Sequence, residues 1–144
     1  MRISDVLARK GSLVATVRPT TIINDALDKL AEHNIGALIV RDADGEIVGI
    51  ISERDIVRAL PQRGPEVLSA EVSEIMTSPL VTATPHTDVV DAMRSMTDRR
   101  VRHLPVLDEG ELVGIVSIGD IVKNRIDELE AATDQLTHYI TGSR

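Results

Sequence analysis

The sequence predicts an α/β (α+β) fold built from two β-α-β-β-α repeats and a C-terminal helix. Three observations carry that expectation: an internal repeat, β-branched runs alternating with amphipathic helical stretches, and a length of 144 residues. That length suits one ordinary domain and is too short for two conventional ones. Residues from Thr16 to Arg58 align with those from Thr82 to Lys123 at an offset of 66, falling to 65 after one deletion in a loop. Matched pairs include Thr16/Thr82, Pro19/Pro85, Asp25/Asp91, Leu38/Leu104, Gly49/Gly114, Ser52/Ser117 and Asp55/Asp120. A shared period of this size makes each copy one supersecondary unit that must bury its sheet face against another. The copies are therefore expected to pack sheet against sheet with pseudo-twofold symmetry, leaving clefts between them.

The elements follow in order. Ser4-Asp5-Val6-Leu7 and Ser73-Glu74-Ile75-Met76 each read as a short capped helix preceding a copy. Next come short β-rich segments, Leu13 to Val17 and Leu80 to Ala83, with a Pro-containing turn after each. Ile23, Ala26, Leu27 and Leu30 then form the apolar face of an amphipathic helix, echoed by Val89, Ala92, Met93 and Met96. Two β-branched runs, Ala37 to Val40 and Ile47 to Ile51, flank the hairpin signal Asp42-Ala43-Asp44-Gly45. Leu104 to Leu107 and Leu112 to Val116 do the same in copy two around Asp108-Glu109-Gly110. A second helix starts at Ser52 or Ser117.

These signals place repeat one with its N-terminal helix over residues 1–60, a linker rich in Pro and Gly over 61–71, repeat two over 72–125 and a helical tail over 126–144. The tail carries Val122, Ile126, Leu129, Thr133, Leu136 and Ile140 at alternating spacings of four and three. This stripe could lie along its own domain, pair with the same helix of a second protomer as a homodimer, or present a regulatory target surface.

Composition narrows function. One tyrosine and no Phe or Trp leave an aliphatic core and exclude aromatic platforms for stacked bases. Sixteen basic against 23 acidic residues, a net charge of −7, is the wrong sign for binding nucleic acid. No cysteine means no disulfide and no thiolate metal site, which suits a reducing cytoplasm. The N-terminus lacks the apolar run of a signal peptide and no stretch is apolar enough for a membrane span, so the expectation is a soluble cytoplasmic protein. Catalytic signatures are missing as well: there is no P-loop and no GxGxxG. His33, His86, His103 and His138 are scattered without metal-ligand spacing, so neither an enzyme nor a catalytic cofactor is expected.

Val101-Arg102-His103-Leu104-Pro105-Val106-Leu107-Asp108, followed by Leu112-Val113-Gly114-Ile115-Val116-Ser117-Ile118-Gly119-Asp120, resembles the signature of a CBS domain. Ile47-Val48-Gly49-Ile50-Ile51-Ser52-Glu53-Arg54-Asp55 is similar to the same signature in copy one. The whole is similar to a tandem CBS pair, or Bateman module, of the free-standing type. Such a resemblance implies a regulatory sensor that binds adenosine-containing ligands between its repeats: AMP, ADP, ATP, NAD(H) or S-adenosylmethionine. Its regulated protein partner is not identified by the sequence. A structural adaptor with vestigial nucleotide sites is the alternative.

In Ser52/Asp55 and Ser117/Asp120 a carboxylate can accept hydrogen bonds from a ribose diol, with a hydroxyl beside it. The resemblance assigns the ribose to these four residues. The same Ser-x-x-Asp pattern is a helix capping box, and the two roles are compatible. For phosphate, the segment from Arg94 to His103 holds a quarter of the basic residues. Arg102 and His103 are the leading candidates there, followed by Arg99, Arg100 and the separate Arg54. The competing role is a solvated helix end whose arginines complement the dipole. Adenine would need aliphatic walls, implied to be Val17, Ile39, Ala83, Val101 and Pro105, with Thr16 and Thr82 nearby. Each of these also suits plain core. Copy one departs from the pattern, with Gly36, Ala37 and Ile39 in place of Arg102, His103 and Pro105, so one dominant site is expected.

Overall fold

The structure, a computed structural model, describes residues 1–78 and 80–142. The chain divides into two compact units: one comprises Leu13–Leu80, the other Met1–Ser12 together with Val81–Arg144.

In the first unit, β1 (Thr16–Val17) pairs in parallel with β2 (Ala37–Arg41), which pairs antiparallel with β3 (Ile47–Ser52). The hairpin closes because Asp42 Oδ1 accepts from the backbone N–H of Asp44 and Glu46 at 2.9 and 3.0 Å while Gly45 takes φ +81°. Helix α2 (Ile23–His33) buries Ile23, Ala26 and Leu30 against Leu38, Val40 and Ile51, as its apolar spacing dictates. It ends at Asn34 in the left-handed region, which asparagine tolerates. Helix α3 (Glu53–Arg63) adds Ile56 to that core.

Residues expected to form a linker are instead helical. Pro61 lies inside α3, and a 3₁₀ helix spans Gly64–Ser69 with Pro65 in its first turn. Proline deprives the Val57 carbonyl of its helical donor, a loss that is tolerable where both residues are exposed.

The second unit has α4 (Val89–Arg99), β4 (His103–Asp108), β5 (Glu111–Ser117) and α5 (Ile118–Gly142), preceded in the chain by α1 (Ile3–Lys10). The expected Leu80–Ala83 strand shrinks to one parallel bridge, Ala83 with Val106. Val89, Ala92, Met96, Leu104, Val106, Val116 and Ile121 form the core.

The short helix preceding each copy packs on the other copy. Ile3 and Ser4 N–H bond to the carbonyls of Thr87 and Pro85, both at 2.9 Å, and Ile3 and Val6 are fully buried in the second unit's core. Reciprocally, the Val72 and Ser73 N–H groups bond to the carbonyls of Thr21 and Pro19 at 2.8 and 3.0 Å. Residues 1–12 thus fold with repeat two, although in chain order they precede repeat one. The caps differ as well. Arg2, not Ser4, starts α1, its N–H bonding to Asp5 Oδ2 at 2.9 Å, and the second echo is a single 3₁₀ turn, Val72–Glu74.

Glycine makes both crossings possible. A Cβ on Gly114 would stand 2.7 Å from Leu7 Cδ2, and one on Gly49 would stand 2.6 Å from Met76 Sδ. Helix α5 is buried only near its start, at Ile121 and Asn124, and every described residue from Leu129 onward is exposed. The tail's apolar stripe therefore does not lie along its own domain.

Candidate functional site

Each unit ends its hairpin in the same strand-to-helix junction. At the end of β5, Ser117 Oγ accepts the Asp120 N–H at 3.1 Å, and Asp120 Oδ2 accepts the Ser117 N–H at 2.8 Å. At the end of β3, Ser52 Oγ accepts the Asp55 N–H at 3.2 Å. Asp55 Oδ2 in turn accepts from Ser52 N–H and Oγ–H at 2.9 and 3.0 Å. Both Ser-x-x-Asp pairs are capping boxes, which fix the carboxylates in the first helical turn. All four residues are half-buried, open enough to meet a ligand.

The two carboxylates have different third partners. Lys10, at the end of α1, lies 2.5 Å from Asp120 Oδ2 and also donates to the Ile115 carbonyl at 2.8 Å. Asp55 Oδ1 instead receives the Thr77 hydroxyl at 3.1 Å. Burial of Asp120 favours its neutral form, but Lys10 and the Ser117 N–H outweigh this and hold the carboxyl below its usual range. Sequence reading missed Lys10 and Thr77. The echo preceding each copy was visible, but nothing in chain order reveals that each echo reaches across to the other copy's carboxylate.

Several candidates gather around Ser117. His103 pairs directly with it across the β4–β5 ladder and is half-buried. The neighbouring Arg102 has an exposed side chain, and its carbonyl accepts the Ile118 N–H at 2.8 Å, tying it to the start of α5. Arg99 and Arg100 sit further back, exposed at the C-terminal end of α4, with Arg100 in the left-handed cap conformation at φ +54°. That is the solvated helix end of the competing role. Arg54 is exposed in the first turn of α3, beside Asp55.

The aliphatic candidates divide. Val17 and Ala83 are members of the two hydrophobic cores, and Val101 packs against the second. Ile39 is fully buried opposite Thr16, and Pro105 is buried opposite Ile115. Thr16 is half-buried and Thr82 exposed.

A concavity of about 380 Å³ opens at the hairpin end of the first unit's sheet, away from Ser52. Arg18, Lys29 and Arg41 line it, each donating to a backbone carbonyl, of Asp42, Thr16 and Gly45 respectively. The copy-two counterparts at the offset of 66 are Thr84, Ser95 and Leu107, so this cationic lining belongs to copy one. Among the described residues no cluster of three or more His, Cys, Asp or Glu side chains could hold a metal ion. No described helix is long and apolar enough to cross a membrane.

The CBS-domain family model matches residues 4–62 and 72–127. A mitochondrial CBS-domain-containing protein of Arabidopsis thaliana is 39% identical over 97% of this chain and 72% of its own length. Among solved structures, a CBS-domain-containing protein from Agrobacterium tumefaciens is 44% identical, with a TM-score of 0.83 covering 86% of this chain and 92% of the other. A CBS-domain protein from Pyrobaculum aerophilum, crystallised with AMP, is 32% identical over 92% of this chain and 99% of the other, with a TM-score of 0.77. The CBS pair of a protein called MJ0100, crystallised with 5′-methylthioadenosine and S-adenosylmethionine, is 29% identical with a TM-score of 0.78, covering 89% and 98%. Two family matches that together span most of the sequence, borne by two units that each carry a helix, a β-hairpin and a second helix, leave a single conclusion: the chain belongs to the CBS-domain family.

Proposed function

We propose that this chain is a regulatory sensor that binds an adenosine-containing ligand, its ribose diol held by Asp120 with Ser117 and, in the other repeat, by Asp55 with Ser52. The observation that carries this reading is the repeated half-buried carboxylate, fixed by a capping box at the end of a strand. A sugar diol has two donors for such an acceptor. Relatives crystallised with AMP and with S-adenosylmethionine support the ligand class. Within it, AMP, ADP, ATP and NAD(H) are the leading ligands and S-adenosylmethionine the further one.

Arg102 and His103 are the proposed phosphate partners at the Asp120 site, because β4 sets them beside Ser117. Arg54 takes that role at Asp55, and Arg99 and Arg100 are secondary. Pro105, Val101 and Ile39 are the proposed adenine walls, with Thr16 and Thr82 at the edge. Val17 and Ala83 contribute chiefly as core. Copy one lacks a counterpart of Arg102, so the Asp120 site is the dominant one.

Binding shifts the protein between states only as far as the ligand's affinities for them differ, and the proposed output is altered affinity for a protein partner. No turnover belongs to this role. Titration calorimetry with AMP, ADP, ATP, NADH and S-adenosylmethionine tests it, and the Asp120→Ala variant should lose at least tenfold in affinity. No binding by any of them, or undiminished binding by that variant, overturns the reading. Chromatography should recover the bound nucleotide unchanged.

A second reading, a homodimeric adaptor, is favoured by the exposed stripe on α5, where Ile126, Leu129, Leu136 and Ile140 are 49 to 66% exposed. Three turns or more of unpartnered heptad pattern suit a helix pair between protomers. Deleting residues 127–144 should abolish association while leaving nucleotide affinity intact if the stripe serves only dimerisation.

A further inference from the structure

Helix α1 delivers an ammonium to the carboxylate that the proposed function assigns to the ribose. Lys10 Nζ bridges Asp120 Oδ2 and the Ile115 carbonyl, at 2.5 and 2.8 Å, so it is anchored to α5 and β5 together. The two side chains are 30% and 25% exposed, which shields the pair without closing it off. Ser117 N–H meets the same carboxylate oxygen at 2.8 Å. Among the described hydrogen bonds, none from these groups falls on Oδ1. The equivalent acid in the first unit is completed by a hydroxyl instead, with Thr77 Oγ1 on Asp55 Oδ1. The two sites therefore share a carboxylate and a capping serine but differ by one fixed charge from the crossing segment.

Adenosine-containing ligands differ mainly in what they carry at the 5′ carbon. AMP bears a phosphate anion there, adenosine a neutral hydroxyl, and S-adenosylmethionine a sulfonium cation. With a sugar seated on Asp120, Lys10 would be the cation joined to the carboxylate that holds it, and its field would act on that substituent. One unit charge about 6 Å from the ammonium, at an effective dielectric constant of roughly 40 to 80, changes affinity by about three- to tenfold.

We propose that Lys10 is a specificity-determining residue of the Asp120 site, selecting adenosine ligands with an anionic 5′ group over neutral or sulfonium ones. The proposal rests on the assignment of ribose to Asp120. It goes beyond that assignment in giving the selection to a residue of the N-terminal helix.

The test is titration calorimetry of the full chain with adenosine, AMP and S-adenosylmethionine. It compares wild type, Lys10→Met, Lys10→Arg and Asp120→Asn, each also with Asp55→Ala to confine ribose binding to the Asp120 site. Lys10→Met is expected to lower the ratio of AMP to adenosine affinity three- to tenfold and to raise S-adenosylmethionine relative to AMP. Lys10→Arg is expected to restore the wild-type ratio, which a purely structural role for the stem would not require. An unchanged ratio in Lys10→Met, with binding still lost in Asp120→Asn, overturns the role of Lys10 and leaves the ribose assignment standing. Undiminished binding in Asp120→Asn, or no binding of any of the three to wild type, overturns the ribose assignment and the Lys10 proposal with it.

Discussion

Replacing Gly114 by alanine probes the packing that brings α1, and with it Lys10, onto the second unit. The new Cβ would stand 2.7 Å from Leu7 Cδ2 and 3.1 Å from Leu7 Cδ1. Carbon contacts are comfortable at about 3.5 to 4.0 Å, so the end of Leu7 must retreat by about 1 Å. Leu7 is half-buried and packed against the core, so retreat means a strained rotamer or a tilted helix. Overpacking of this kind costs about 1 to 3 kcal/mol. A stiffer unfolded chain offsets about 0.4 to 1 kcal/mol of that, which leaves a net loss of about 0 to 2.6 kcal/mol, with its centre at about 1.3 kcal/mol. Leu7→Ala alone should cost a similar amount, since it removes a side chain that is only partly withdrawn from water. In the double variant the alanine methyl occupies space that Leu7 vacates, so the two losses should fall short of their sum by about 1 kcal/mol. Equilibrium urea unfolding of the four proteins measures this coupling. Additivity within about 0.4 kcal/mol would refute the packing argument. Gly49→Ala provides the contrast. Its Cβ would meet the unbranched Met76 side chain at Sδ, 2.6 Å away, but also the Thr77 carbonyl oxygen at 3.1 Å. That carbonyl is held by the Ile50 N–H, and the Thr77 N–H by the Ile50 carbonyl at 2.8 Å. Met76→Ala should therefore rescue Gly49→Ala far less than Leu7→Ala rescues Gly114→Ala.

Ser117→Ala should cost about 1 kcal/mol by removing the cap on α5, read as a lowered thermal midpoint, and Ser52→Ala should do the same for α3. Asp120 has a folded-state pKa below its ordinary value of 3.8. It therefore contributes stability above that pH, a contribution that is lost as the pH falls through the lowered value. Thermal melts of wild type and Asp120→Asn should thus differ at neutral pH and converge in acid, and a constant gap would contradict the shift. Leu129→Glu with Leu136→Glu should leave the melting temperature of the monomer unchanged, because both side chains are more than half exposed in the single chain. If the stripe pairs two protomers, the same change should convert dimer to monomer in sedimentation velocity.

What was legible in the sequence is what has a local cause. The Asp-rich turn, the apolar spacing of α2 and α4 and the two capping boxes all stand where periodicity and turn chemistry put them, because each depends on neighbours within a few residues. Pro61 shows the converse. Its composition signals a linker, yet an exposed helix face tolerates the missing donor. The crossing of α1 was illegible because Ile3, Val6 and Leu7 would suit either core equally well. Only tertiary complementarity, the space over Gly114 and the carbonyls of Pro85 and Thr87, chooses between them.

That crossing also explains how two nearly identical sites can differ. The residues within each repeat that would hold a ribose, Ser52 with Asp55 and Ser117 with Asp120, are the same and make the same capping bonds. Beyond the lack of an Arg102 counterpart in copy one, the sites are distinguished by Lys10 from α1 and Thr77 from the stretch after the 3₁₀ turn. Neither Lys10, the last residue of α1, nor Thr77 belongs to a hydrophobic core, so either side chain can change without disturbing one. A charged group there alters the carboxylate's field at short range, while the capping geometry that positions the carboxylate stays fixed. In the proposed reading the groups that orient a ligand are separate from Lys10, the group that would select its charge, and the helix that carries Lys10 packs over Gly114 through Leu7.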